Sequence, residues 1–166
     1  MKKTLTAAAL LAALLMAGCS GNSGNSGAGD SSSVTASDST SALSAQEKAE
    51  KVLTDIEFNG EMVSIDGENM ELRLGFTSDG LTDFAAYACG SAALPDEFGV
   101  FVAETEDKAA EIKTALEKRI EVQKETYKDY TPEEMYKFDD CVVAQNGTTV
   151  YYAITADNAK AAEILG

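Results

Sequence analysis

The sequence predicts an α+β fold. The expected core is a mainly antiparallel four-stranded sheet built from two hairpins, with a long central helix and N- and C-terminal helices packed on it. Three observations lead there. Residues 97–104 (EFGVFVAE) are a Val- and Phe-rich run of strand length. Asn146-Gly147 separates two further apolar runs, 141–145 and 148–154, as a tight hairpin turn would. Between them Ala109, Ile112, Leu116, Ile120, Gln123 and Tyr127 recur at helical spacing behind Thr105, an N-cap followed by Glu106 and Asp107 at the positive end of the helix.

The remaining elements follow in order. Ser44-Ala45-Gln46-Glu47 is a capping box, and Ala45, Ala49, Val52, Leu53 and Ile56 make one helical face that Asn59-Gly60 is expected to end. Residues 61–83 are ambiguous between extended and helical. A short helix over about 67–74, stopped by Gly75, is preferred, with Ser78-Asp79-Gly80 as a turn. Phe84 to Cys89 is a short strand joined to 97–104 through a connection containing Pro95. Thr131, Pro132 and Glu134 predict a second helix start, with Thr131 as cap and a helix ending near Lys137. Asp157 opens a last helix through Ala161, Ile164 and Leu165. Strands 97–104 and 148–154 are apolar on both faces, so either helices cover both faces or one face meets a partner.

The chain begins as a bacterial lipoprotein precursor is expected to. Lys2 and Lys3 precede an apolar run over 5–15, too short for the roughly 20 residues of a spanning helix. Small residues then lead to Cys19, where a lipoprotein-processing peptidase would cleave and leave the lipidated Cys as the new N-terminus. Met16 stands where Leu is usual. Acyl chains contribute about 0.8 kcal/mol per buried CH₂, so two or three make a durable anchor. Residues 20–42 hold nine Ser and four Gly, and Val34 is their one large aliphatic. Such a stretch buries too little apolar surface to order itself. The expected organisation is a signal peptide over 1–18, lipidated Cys19 with a disordered Ser/Gly-rich tether over 19–42, and a single domain over 43–166. The expected location is the outer face of the cell membrane, held there by lipidated Cys19.

Composition excludes several functions. The precursor carries 13 basic and 28 acidic residues, and loss of Lys2 and Lys3 takes its formal charge from −15 to −17. That surface repels nucleic acid, so no nucleic-acid partner is expected. The chain has no His, which rules out Ser-His-Asp, Cys-His and His-ligated zinc chemistry within it. Carboxylate or Lys catalysis stays possible in principle. No cofactor and no metal is expected. Asp66-Gly67-Glu68-Asn69 lacks calcium-loop spacing and reads as a solvated turn. Asp139-Asp140 reads likewise as the entry to a strand, and Cys89-Gly90-Ser91 has no His to act as base. Cys89 and Cys141 remain after lipidation; they could form a disulfide, which export permits, or be two buried thiols.

Leu74-Gly75-Phe76, Tyr87, Asp96-Glu97 opening a strand, Arg119 on the long helix, Tyr130-Thr131-Pro132-Glu133 and the Gly147 turn follow one another in an order that resembles the family called domain of unknown function 4358. The likeness spans about residues 61–160. It differs in one place: a Tyr-Val pair is expected soon after the turn Gly, and here Val150 precedes Tyr151. The resemblance implies a small lipoprotein of a Gram-positive bacterium and a fold, and it carries no catalytic residues.

The expected function is a non-enzymatic, lipid-anchored extracytoplasmic domain that binds an unknown protein or small-molecule partner at the cell surface. The expected binding surface lies near Phe101 and Tyr151, on whatever sheet face the helices leave open. The alternatives are a structural or accessory subunit of an envelope complex, and an enzyme working through carboxylates or Lys.

Overall fold

The computed structural model describes residues 43–166. The expected signal peptide, Cys19 and the whole tether lie outside the described residues. The elements run α1 (Ala45–Asp55), β1 (Met62–Ser64), α2 (Met70–Leu74), β2 (Leu81–Cys89), β3 (Glu97–Ala103), α3 (Glu106–Tyr130), a 3₁₀ helix (Pro132–Phe138), β4 (Val142–Asn146), β5 (Thr149–Ile154) and α4 (Asn158–Leu165). The sheet has five antiparallel strands in the order β1-β2-β3-β5-β4. The α+β class and the long central helix are as expected, and the strand count is one higher. The extra strand is β1, three residues at an edge. A segment that short shows no periodicity of its own; its pairing with β2 defines it.

Helices cover both faces, which settles the question left by the two-sided apolar strands. On one face Phe101, Val150, Tyr152 and Ile154 pack beneath Ala109, Ile112, Leu116 and Ile120 of α3, with Met70 and Leu74 of α2 beside them. On the other, Phe98, Val100 and Ala153 pack beneath Ala45, Ala49 and Val52 of α1 and Ala161, Ile164 and Leu165 of α4. Gly99 makes the first face possible. A Cβ there would lie 3.0 Å from the Tyr152 and Phe101 rings. Without one, Tyr152, its cross-strand partner, packs beside Gly99 and its hydroxyl reaches Glu97 at 2.8 Å.

Local signals largely hold. Ser44 and Glu47 form the capping box, Thr105 accepts a hydrogen bond from the Lys108 amide, Asp157 caps α4, and Gly75 ends α2 with φ +85°. Asp66 accepts from the Asn69 amide at 2.8 Å, so the acidic turn folds on itself to lead into α2. Three local expectations are corrected. Helix α1 ends at Asp55 rather than at Asn59-Gly60, because Ile56 turns extended to enter the core and Phe58 stacks on Phe98 at 5.8 Å. Thr131 caps nothing with its side chain, and residues 132–138 are 3₁₀ rather than α. That tighter helix eclipses residues three apart, which sets Glu134 over Lys137. The second hairpin turns one residue later than expected. Asn146 pairs with Thr149, leaving Gly147 (φ +59°) and Thr148 as the central pair.

Candidate functional site

The expected binding surface is not one. Phe101 is fully buried in the core under α3, whereas Tyr151 is half-buried on the opposite face, under α1 and α4. Adjacent strand residues alternate faces, and Tyr151 pairs with Val100, not with Phe101. The thiols do not meet either. Cys89 and Cys141 are both free. They border strands separated by β3 and β5, about 14 Å across three strand spacings, too far for a bridge. Burial pushes the Cys141 thiol up.

What the fold does assemble is a pair of buried ion networks where β3 begins. Asp96 and Glu97 are each 2 % exposed. The Glu97 carboxylate accepts from Arg119 through Nε at 2.6 Å and through Nη2, from the Tyr152 hydroxyl at 2.8 Å and from Gln123 Nε2 at 3.3 Å. Asp96 accepts from Lys137 Nζ at 2.6 Å, and Glu134 lies 2.7 Å from the same ammonium. Lys137 is 1 % exposed, and its carbonyl accepts from Asn158 Nδ2 at 2.8 Å. The two networks therefore tie the head of β3 to α3, to the 3₁₀ helix and to the start of α4.

Each group is held in its charged or neutral form by a nameable cause. Burial works against the Lys137 ammonium, but the bonds to Asp96 and Glu134 outweigh it and raise its pKa above the ordinary value. Burial likewise opposes the Arg119 charge, and Glu97 outweighs it. For Tyr152, burial and then the Glu97 charge push the phenol well above its usual range. Tyr127 is raised by burial first and then by Glu97. All four bind their protons more tightly folded than unfolded. The stability they contribute is fully present below the unfolded values, near pH 10 for Tyr and Lys, and is lost as pH rises through the folded ones. The melting temperature is therefore expected to hold to about pH 9 and to fall steeply above pH 10. Tyr152→Phe should flatten part of that fall; an identical profile in the variant would show that Tyr152 is not linked to it.

Beside the networks lies a hollow of about 380 Å³, walled mainly by polar groups. Arg73 of α2, Cys89 and Ser91 at the end of β2, and Arg119, Gln123 and Tyr127 of α3 line it. Tyr127 donates to the Leu94 carbonyl at 3.0 Å and so pins the 90–96 loop that forms one wall. Three polar groups here have no protein partner among the described residues. Arg73 makes no ion pair, and Arg119 uses Nε and Nη2 on Glu97 but not Nη1. Gln123 turns its amide nitrogen to Glu97, so its Oε1 is left buried without a donor. The acids of the site are bonded to cations, and the unused capacity is two guanidinium donors and one amide acceptor. Such a set suits holding a polar, anionic group.

Of these residues the sequence pointed to Asp96-Glu97 and Arg119 as motif positions and to Gln123 and Tyr127 as part of an inward stripe. The fold brings them together. In the sequence Glu134 and Lys137 are only helix-start and helix-end signals, and Arg73 is not singled out. One signal for Glu97 was present: it is in phase with Phe101 and Ala103, so the alternation of β3 turns it toward the core. Nothing local marks Lys137 for burial; it sits in a charged, Pro-led stretch of solvent-exposed appearance.

Among the described residues there is no helix long and apolar enough to cross a membrane and no cluster of three metal-ligating side chains. Comparison with curated proteins and with solved structures finds no match. A family model does match over residues 54–155, a span that holds Asp96, Glu97, Arg119 and Lys137. By that match, the chain belongs to the family described as Domain of unknown function (DUF4358).

Proposed function

We propose that this protein is a lipid-anchored, extracytoplasmic, non-enzymatic binding domain that takes its ligand at the hollow beside Arg73. The carrying observation is the division of labour among the polar groups. Asp96 and Glu97 are consumed by Lys137 and Arg119, while Arg73, Arg119 Nη1 and Gln123 Oε1 face or flank the hollow unspent. A catalytic carboxylate needs freedom to exchange a proton; a carboxylate fixed between an arginine and a tyrosine serves instead to hold donors in place. The anchor rests on the basic start, the short apolar run and Cys19.

Two measurements test this. The full-length protein should partition into detergent, and Cys19→Ala should move it to the aqueous phase. Isotope-labelled protein titrated with a soluble digest of its own cell envelope should show amide shifts clustered at Arg73, Gly90 and Ser91. Arg73→Ala should weaken that binding about tenfold or more, the loss of one charge-assisted contact. Shifts confined to the α1/α4 face, or an unmodified N-terminus, would overturn the proposal.

A further inference from the structure

Adjoining the hollow, and sharing Arg73, Arg119 and Gln123 with it, α2 and α3 leave a groove of about 290 Å³. Its apolar walls include Leu72, 84 % exposed, and Val122, 60 % exposed. Both line one groove, so an apolar side chain placed there would cover the two together. Every charged residue lining the groove is a cation: Arg73, Lys118 and Arg119. This in a chain of 28 acids and 13 bases is a local reversal of sign. Arg73 and Lys118 make no ion pair among the described residues, so their charge is available. On the far side of Val122 the sign reverts with Glu121.

We infer that this groove docks an acidic segment of a partner protein, one that inserts an apolar side chain between Leu72 and Val122 and sets its carboxylates on Arg73 and Lys118. The inference rests on the binding-domain reading above and adds a second contact surface beside its hollow. Charge and size decide the occupant. A short segment meets mainly the charges within a Debye length of about 8 Å: Arg73 and Lys118 in the groove, with Glu121 at its margin and Glu117 already paired to Lys113. An anionic bilayer would face the acidic surface as a whole and be repelled. The groove is open and holds the volume of a few side chains, which fits an anchored segment better than an enclosed metabolite. Glu121 would disfavour acids beyond Val122 and so give the segment a direction.

The test uses the full-length lipoprotein in non-ionic detergent and three labelled hexapeptides: alternating Glu and Leu, alternating Lys and Leu, and alternating Glu and Ser. The Glu/Leu peptide should bind best, by anisotropy, and weaken as salt rises. Lys118→Glu should cost at least tenfold in affinity and Val122→Ser several-fold. Both positions are on the helix surface, and an unchanged melting temperature shows that folding is intact. Equal binding of the Lys/Leu or Glu/Ser peptide would overturn the inference. So would affinity unmoved by Lys118→Glu, or binding to phosphatidylglycerol vesicles that depends on Lys118 in place of peptide binding. Lys118 does not line the hollow. A failure here with amide shifts still clustered at Gly90 and Ser91 defeats the peptide partner alone; absence of those shifts defeats the wider reading.

Discussion

Lys137→Met is expected to destabilise the fold by about 3–5 kcal/mol, the usual result of stripping one partner from a buried ion pair. The melting temperature should drop by about 10–20 °C for a domain of this size. The size follows from what the substitution leaves behind. Asp96 is 2 % exposed, and Lys137 Nζ, at 2.6 Å, is the cation that balances it. Glu134 would remain beside it, adding a second negative charge with nothing between. The loss should therefore be mostly the cost of an uncompensated charge. Adding Asp96→Asn to the Lys137→Met chain should return a large part of the stability, because the buried charge is then gone. Chemical denaturation of the single and double variants measures both. A double variant no more stable than Lys137→Met would show that packing of the lysine stem carried the effect.

Arg119→Leu should cost a similar amount, about 3–5 kcal/mol, and more than Glu97→Leu. The asymmetry comes from exposure. The Arg119 side chain keeps 22 % of its surface and can carry its guanidinium toward the hollow and water when Glu97 is removed. Glu97 has no such exit. Without Arg119 it keeps only the Tyr152 hydroxyl and Gln123 as donors, neither of them charged. Replacing both residues by Leu should be milder than Arg119→Leu alone, though Tyr152 then lacks its acceptor. Equal losses for the two single variants would mean that Arg119 is as trapped as Glu97. Because Arg119 also lines the proposed groove, these variants report on stability; Lys118 and Val122 serve for binding.

The elements themselves were written locally. A capping box at Ser44, a cap at Thr105, a left-handed stop at Gly75 and a Gly-centred turn at 147 act within four residues, so their places are readable without the rest of the chain. The α3 stripe likewise predicted which side of that helix enters the core, Gln123 and Tyr127 included. Where an element's length depends on a distant partner, local signals stopped short. Nothing in residues 56–58 says that Phe58 will meet Phe98 and so end α1 early. Strand β1 exists because Val63 has Ala88 to pair with.

The site was legible only in part, for the same reason. Asp96-Glu97 and Arg119 stood out as motif residues, but their chemistry depends on which cation each acid meets. Glu97 takes a residue 22 positions away and Asp96 one 41 positions away, and no spacing rule reaches that far. Placing Phe101 and Tyr151 on one surface failed because sheet register, not proximity in type, assigns faces. Pairing Cys89 with Cys141 failed because the strand order puts β3 and β5 between them. By itself the sequence determined the places of α1 to α4 and of the two hairpins, the acidic balance and the absence of histidine, all properties of composition and short-range bonding. Tertiary structure alone decided which charges are buried together, which cations stay free beside α2, and that both sheet faces are covered. Each of these is a fact about long-range packing, in which burial turns an ordinary Asp, Glu, Lys or Arg into a group that must find a partner.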